Sequence, residues 1–154
     1  MNNNNVPLSY VNSLMYELEK AFWDERGKGA RFRMTKVGDQ YFKDKIKPLL
    51  DTAEVDEILK QIQGVLQSEG IVTDVSYNRE ERLLKVSVKG CIHRPVEERM
   101  LAKGIEPFTC IPANLIVLAI EEKLDIPVEL AEIKMEEGVC KLLLVLFEKR
   151  PVLD

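Results

Sequence analysis

The sequence predicts an α+β domain, in which an antiparallel four-stranded sheet packs with about four helices. In the first half of the chain, apolar residues recur at steps of three and four, which is typical of amphipathic helices. In the second half, two pairs of segments alternate apolar and polar residues, and a short polar turn joins each pair. Turns of this length favour antiparallel pairing over the long crossovers that a parallel sheet needs. Helices packed against such a sheet give the α+β class.

Three helices are expected before Gly70. The first should end near residues 27–29, and its apolar positions are Leu8, Val11, Met15, Leu18 and Phe22. The second should run from about Thr35 to just before Pro48, because proline disrupts the helical hydrogen-bond ladder. The third should be capped by Thr52 or the residue before it, and its apolar stripe consists of Val55, Ile58, Leu59, Ile62, Val65 and Leu66.

Two hairpins are expected in the second half, with a helix between them. The strands of the first hairpin are residues 71–77 and 84–88, and those of the second are residues 128–135 and 139–148. The helix between them, residues 112–124, is apolar over more than half of its circumference. It should therefore be the most buried helix of the domain.

The last strand should be central in the sheet and covered on both faces, because residues 142–147 are continuously apolar. In the strand before it, the apolar positions change parity near Leu130, which a β-bulge would explain. Such a bulge would also bring Glu129 and Glu132 onto the same face. The linker after the first hairpin, residues 96–102, is expected to contain a short helical turn.

Length and composition indicate a single domain of residues 7–154, preceded by a disordered stretch at residues 1–6. A chain of 154 residues can bury a core without disulfides, and a hydrophobic content of 45% rules out global disorder. The net charge of −4 gives no electrostatic reason to expect nucleic acid. The apolar runs are much shorter than the roughly 20 residues of a membrane span, and the first residues lack a signal sequence. We therefore expect a cytoplasmic protein that binds neither nucleic acid nor membrane.

The three cysteines and the only histidine lie between positions 91 and 140, together with two closely spaced glutamates. Thiolates, imidazole and carboxylates are the side chains that bind transition metals. The predicted metal ligands are Cys110, Glu129, Glu132 and Cys140, and the additional candidates are Cys91 and His93. Cys110 precedes the buried helix, whose free N–H groups would stabilise a thiolate. Two thiolates and two carboxylates suit Zn²⁺, and Fe²⁺ becomes an alternative if the imidazole joins them.

Simpler explanations of the same residues stay open. Free cysteines are among the most frequently buried residues, so Cys91, Cys110 and Cys140 could serve only as packing. Glu129 and Glu132 could be solvated charges on the exposed side of the sheet.

The region from residue 90 to residue 147 resembles the 4-vinyl-reductase-like, hydrocarbon-binding domain family. The shared pattern is a cysteine at a strand end, a cysteine before an apolar helix, a Glu-x-x-Cys motif, a glycine and a last cysteine. In this sequence, the pattern reads Gly90-Cys91, Thr109-Cys110, Glu129-x-x-Glu132, Gly138 and Cys140. Glu132 stands where the family has a cysteine.

The resemblance implies a ligand-binding fold shared with TRAPP vesicle-tethering subunits, often dimeric, with an apolar pocket. In the phenol-sensing bacterial activators of the family, a structural zinc lies beside that pocket. The counterparts of its ligands in this chain are Cys110, Glu129, Glu132 and Cys140. Other members are named for the reduction of a chlorophyll vinyl group.

We expect a binding or sensor domain that encloses a small hydrophobic molecule, with the Cys/Glu metal site next to the pocket. The expected pocket residues are Phe32, Tyr41, Phe42, Phe108 and Ile116, although core packing would also explain them. The apolar first helix and the resemblance indicate a homodimer. The alternative is an enzyme or accessory protein acting on a tetrapyrrole-like ring. In that case Glu129, Glu132 and His93 would transfer protons or complete an open metal site.

Overall fold

The computed structural model describes residues 5–30 and 34–148 and confirms the α+β class. Its main helices are α1 (Leu8–Arg26), α2 (Val55–Ser68), α3 (Arg94–Ala102) and α4 (Ile111–Leu124). Its strands are β1 (Asp74–Glu80), β2 (Leu83–Lys89), β3 (Val128–Glu136) and β4 (Val139–Leu146). The strands form an antiparallel four-stranded sheet in the order β1-β2-β4-β3.

The predicted second helix is divided into short pieces. It consists of an α-helical turn (Asp39–Tyr41), a π-helical turn (Phe42–Ile46) and a 3₁₀ turn (Lys47–Leu49). A separate 3₁₀ turn (Met34–Lys36) precedes these pieces, and Gly38, whose φ is 105°, interrupts the helix between that turn and the α-helical turn. Pro48, which has no N–H to donate, lies in the last 3₁₀ turn. The segment still buries Phe42 and Ile46 in the main core.

Helices α2 and α4 enclose the main core together with one face of the sheet. The predicted stripe of α2 is confirmed, since its buried residues are Val55, Ile58, Leu59, Ile62 and Leu66. The predicted cap at Thr52 or the residue before it is wrong, because the N-cap of α2 is Glu54 and no side chain caps the helix. The hydroxyl of Thr52 instead accepts a hydrogen bond from the backbone N–H of Glu54. Nearly the whole first half of α4 is buried, as its apolar circumference predicts.

Strand β4 lies inside the sheet between β2 and β3, which confirms its predicted central position. The prediction that both of its faces are covered is wrong. Leu142 and Leu144 are buried, whereas Leu143 and Val145 remain partly exposed on the opposite face. Alternation along a strand sends successive side chains to opposite faces, and the main core lies against only one of them. We call the core-facing side the inner face and the opposite side the outer face.

The predicted irregularity in β3 is confirmed, because the register with β4 shifts between Leu130 and Glu132. Before the bulge Glu129 pairs with Val145, and after it Glu132 pairs with Leu143. Both glutamates therefore share one face of β3, as expected, and that face is the outer one.

Helix α1 packs mainly against α3, and it turns a partly polar side inwards. Its buried residues are Asn12 and Glu19, whereas Leu18 is 72% exposed. The other exposed apolar residues at this end of the chain are Val6, Leu8, Tyr10, Val11 and Leu14. Only part of the predicted stripe therefore faces inwards. Met15 and Phe22 are half-buried, whereas Leu8, Val11 and Leu18 are exposed. We call Val11, Leu14 and Leu18 the apolar ribbon.

Within the described residues, no helix combines the length and apolarity needed to cross a membrane. The expected disordered stretch at residues 1–6 lies mostly outside the described residues, which begin at Asn5. Residues 5–7 precede α1 and are exposed.

Candidate metal centre and adjoining pocket

Three buried side chains from three different elements converge in the structure. The ligand atoms of Glu97, Cys110 and Cys140 all lie within 4.8 Å of one another. Glu97 lies on α3, Cys110 immediately precedes α4, and Cys140 is the second residue of β4. We call these three residues the cluster. Two of them, Cys110 and Cys140, are predicted metal ligands, and the third is not.

Each cluster residue occupies a position that its element fixes. Cys140 pairs with Val88 on one side and Met135 on the other, on the inner face of the sheet. Cys110 is the N-cap of α4, with extended backbone, and the next residue begins the helix. Glu97 follows Val96 on the buried side of α3, so its carboxylate is carried inwards with the apolar side chains around it.

Burial favours the protonated forms of Cys110 and Glu97 when no metal is present. A hydrogen bond with Cys140 and burial raise the pKa of the Cys110 thiol well above 9.0. The backbone N–H of Ala113 lowers it, as expected at a helix N-terminus, but this effect is the smaller one. The expectation of a stabilised thiolate at Cys110 is therefore wrong for the metal-free protein. Burial and the nearby Glu19 raise the pKa of Glu97 to about 8.

The donor set of the cluster fits a zinc ion. Zn–S bonds of about 2.3 Å and Zn–O bonds of about 2.1 Å in a tetrahedron put ligand atoms roughly 3.5–3.8 Å apart. The three ligand atoms lie within 4.8 Å of one another, so small side-chain adjustments would bring them onto one ion. A bound cation would also favour the deprotonated forms that burial disfavours.

Cys91 and His93 lie beside the cluster without belonging to it. The half-buried Cys91 is close enough to Glu97 and Cys140 for their charges to act on it, and burial raises its pKa to about 11. The backbone N–H of His93 donates to the Sγ of Cys91 at 3.4 Å. The His93 ring lies 3.4 Å from the side-chain oxygen of Asn12, and burial lowers its pKa. Asn12 also donates to the carbonyl of Ile92 at 2.8 Å, which connects α1 to this loop.

The structure does not bring Glu129 and Glu132 to the cysteines. Both belong to the outer face of the sheet, whereas Cys140 belongs to the inner face. Glu132 forms an ion pair with Lys134 at 2.6 Å, and the Lys134 side chain is largely exposed whereas that of Glu132 is partly exposed. The arrangement matches the simpler explanation of these glutamates as solvated charges.

The four expected pocket residues that the structure describes do not surround one common space. Tyr41, Phe42 and Ile116 pack in the main core, and Phe32 lies outside the described residues. Phe108 belongs to a second apolar cluster, with its ring centroid 5.4 Å from that of Trp23. Phe108 also borders a cavity of about 210 Å³ between α4 and β3.

A different cavity adjoins the cluster. It has a volume of about 210 Å³ and lies between α1, α3 and the start of α4. We call it the α1–α3 pocket. Its apolar lining residues are Met15, Leu18, Met34, Val37, Val96 and Ile111, and its polar or ionisable ones are Glu19, His93, Glu97, Thr109 and Cys110. Glu97 and Cys110 therefore belong to both the cluster and the pocket wall.

Glu19 is the second acidic group of this pocket. It is 8% exposed, and its carboxyl group makes no hydrogen bond or ion pair with any described residue. Burial alone raises its pKa from 4.5 to about 7. Its carboxyl group is therefore divided between the neutral and the ionised forms near neutral pH.

A buried amide fixes the other side of the pocket. Asn114 of α4 donates to the carbonyls of Met34 and Val37 at 3.0 and 3.1 Å, and its amide lies 3.4 Å from the hydroxyl of Thr109. These contacts attach the segment that carries Met34 and Val37 to the buried helix. The pocket wall is thereby held by polar contacts as well as by apolar packing.

Sequence reasoning missed Glu19, Glu97 and Asn114. Each is a polar residue on the buried side of a helix, at helical spacing from apolar neighbours. In α3, Glu97 lies three residues before the fully buried Met100. An acidic residue inside an apolar stripe was the available signal, because carboxylates are rarely buried without a reason.

Comparison of the chain with protein-family models, with curated proteins and with solved structures found no match.

Proposed function

We propose that this chain is a binding module in which a metal ion held by the cluster stiffens one wall of the α1–α3 pocket. A small, largely apolar molecule occupies that pocket. One observation carries the proposal: Glu97 and Cys110 belong to both the cluster and the pocket wall. Metal binding and ligand binding would therefore affect one another through shared side chains.

Zn²⁺ is the ion that we propose for the cluster. Two thiolates and one carboxylate are donors that Zn²⁺ accepts in tetrahedral sites. The fourth position would be taken by Cys91, by water, or by a donor atom of the bound molecule. Fe²⁺ is the alternative if the imidazole of His93 turns towards the cluster.

The size of the pocket favours a small ligand. A volume of about 210 Å³ is below the roughly 300–1,000 Å³ of pockets for drug-sized molecules. A single aromatic ring with a short substituent suits such a space. A tetrapyrrole-like ring would need a much larger cavity, so the binding function is better supported than the enzymatic alternative.

We also propose that two copies of the chain associate through the apolar ribbon. Val11, Leu14 and Leu18 are exposed on consecutive turns of one helix, which is the spacing at which two helices pack together. A two-fold axis would bring the ribbon against itself, so a single apolar surface suffices for both partners. Each leucine that becomes fully buried contributes about 1.5–3 kcal/mol. Leu18 also lines the α1–α3 pocket, so the partner copy would cover the protein surface beside the pocket.

Elemental analysis of the zinc-loaded protein, after removal of unbound metal, tests the proposed centre. Wild type should retain about one equivalent of zinc per chain, and Cys110→Ser and Glu97→Gln should each lower the retained zinc. Glu132→Gln is the matched control, because it removes a carboxylate that lies outside the cluster. If wild type retains well under one equivalent, the cysteines serve only as packing. If Glu132→Gln loses the metal and Glu97→Gln keeps it, the site has been assigned to the wrong carboxylate.

A further inference from the structure

The described lining of the α1–α3 pocket has two carboxyl groups and no lysine or arginine to balance them. The carboxyl groups are those of Glu19 and Glu97. His93 is the one basic side chain among the described lining residues, and its ring lies 3.4 Å from the side-chain oxygen of Asn12. Neither glutamate makes an ion pair with any described residue.

The two glutamates differ in their place in the proposed centre. The carboxylate of Glu97 has two thiols within 4.8 Å, and its negative charge would be neutralised by coordination to the metal. Glu19 is not part of the cluster, and it too is only 8% exposed. Buried carboxylates are normally paired with a cation or coordinate a metal. Among the residues that the structure describes, no cation is paired with Glu19.

The proposed metal does not remove this imbalance. A divalent ion with two thiolates and one carboxylate leaves the centre with one net negative charge. Glu19 would then face a pocket whose far wall is also negative. Such a pocket disfavours anions, and it favours a positively charged group that can reach Glu19.

We propose that the molecule bound in the α1–α3 pocket is a small amine, with an apolar body and one ammonium group placed against the carboxylate of Glu19. This inference rests on the proposed function, since it names the ligand class of the same pocket. The apolar body would contact Met15, Val37 and Val96, which line the same space. An ammonium group donates up to three hydrogen bonds, and a charge-assisted bond to a buried carboxylate is stronger than one between neutral groups.

Calorimetric titration of the zinc-loaded, full-length protein at neutral pH can separate the ligand classes. The probes are benzylamine, benzyl alcohol and benzoate, which share one ring and differ in charge. We expect benzylamine to bind at least tenfold more tightly than benzyl alcohol, and benzoate to bind most weakly. In Glu19→Gln, the affinity for benzylamine should fall to that for benzyl alcohol, while the affinity for benzyl alcohol stays unchanged. Glu17→Gln, an exposed position on the same helix, should behave as wild type.

The possible outcomes distinguish this inference from the proposed function. If benzyl alcohol binds wild type as tightly as benzylamine does, the pocket binds small apolar molecules but the amine inference is wrong. The same holds if Glu19→Gln binds both probes as wild type does. If none of the three probes binds the zinc-loaded protein, both the inference and the proposed binding function fail. The comparison of probes on wild type alone decides the question even if Glu19→Gln does not fold.

Discussion

Replacing Glu19 with glutamine should remove a large part of the pH dependence of stability in the metal-free protein. Burial raises the pKa of Glu19 from 4.5 to about 7, so the folded state binds its proton more tightly than the unfolded state does. Well below pH 4.5 Glu19 is protonated in both states, so its ionisation does not lower the free energy of unfolding there. As the pH rises towards 7, the unfolded state ionises first and the free energy of unfolding falls.

The size of the effect follows from the two pKa values. At ~1.36 kcal/mol for each pKa unit, ionisation of Glu19 costs about 3 kcal/mol in total. Roughly 2–3 kcal/mol of this develops between pH 5 and pH 8. Glutamine has nearly the same shape and cannot ionise, so its contribution is the same at both pH values. Loss of the Glu19 charge also removes one cause that raises the pKa of Glu97, which adds to the difference.

Urea denaturation with a chelator present, at pH 5 and at pH 8, measures how much unfolding free energy the ionisation of Glu19 removes. The loss of unfolding free energy between the two pH values should be smaller in Glu19→Gln than in wild type, by about 2–3 kcal/mol. Glu17→Gln should lose as much as wild type, because its carboxyl group is exposed. If all three proteins lose the same amount, Glu19 is not buried as the structure describes, and the reasoning about the pocket fails.

Two further predictions concern the dimer and the pocket wall. In sedimentation experiments at micromolar concentration, wild type should be a dimer and Leu18→Glu a monomer of 17.7 kDa, whereas Leu49→Glu, an exposed leucine outside the ribbon, should stay dimeric. A monomeric wild type would contradict the proposed interface. Asn114→Ala should lower the free energy of unfolding by about 1–3 kcal/mol, because it removes the two part-buried hydrogen bonds that the amide donates to the carbonyls of Met34 and Val37. A loss below roughly 0.5 kcal/mol in urea denaturation would mean that water replaces the amide.

The parts of the fold that could be predicted are those in which local periodicity and burial agree. The stripe of α2, the buried α4, the two hairpins and the bulge after Leu130 follow from the spacing of apolar residues. The outward side of α1 could not be predicted, because the helix carries apolar residues on two sides. Packing against α3 buries the side of Met15 and Phe22 and leaves Leu18 exposed.

The candidate site was predictable only in part, for a related reason. Cys110 and Cys140 are chemically distinctive, and each lies at a recognisable end of an element. Which carboxylate meets them depends on how α3 packs against the sheet, and that is a long-range property. The bulge does place Glu129 and Glu132 on one face of the sheet. Whether that face is the inner or the outer one depends on which side of β4 the helices cover.

Titration of the metal-free protein with Co²⁺ tests the central claim most directly, because thiolate coordination to cobalt gives a strong charge-transfer absorption. Wild type should develop this band and saturate at about one equivalent, with Zn²⁺ displacing the cobalt. Cys140→Ser should develop a clearly weaker band, and Glu132→Gln should match wild type. A wild-type protein without the band, or a Cys140→Ser variant with the full band, would contradict a metal centre built by Glu97, Cys110 and Cys140.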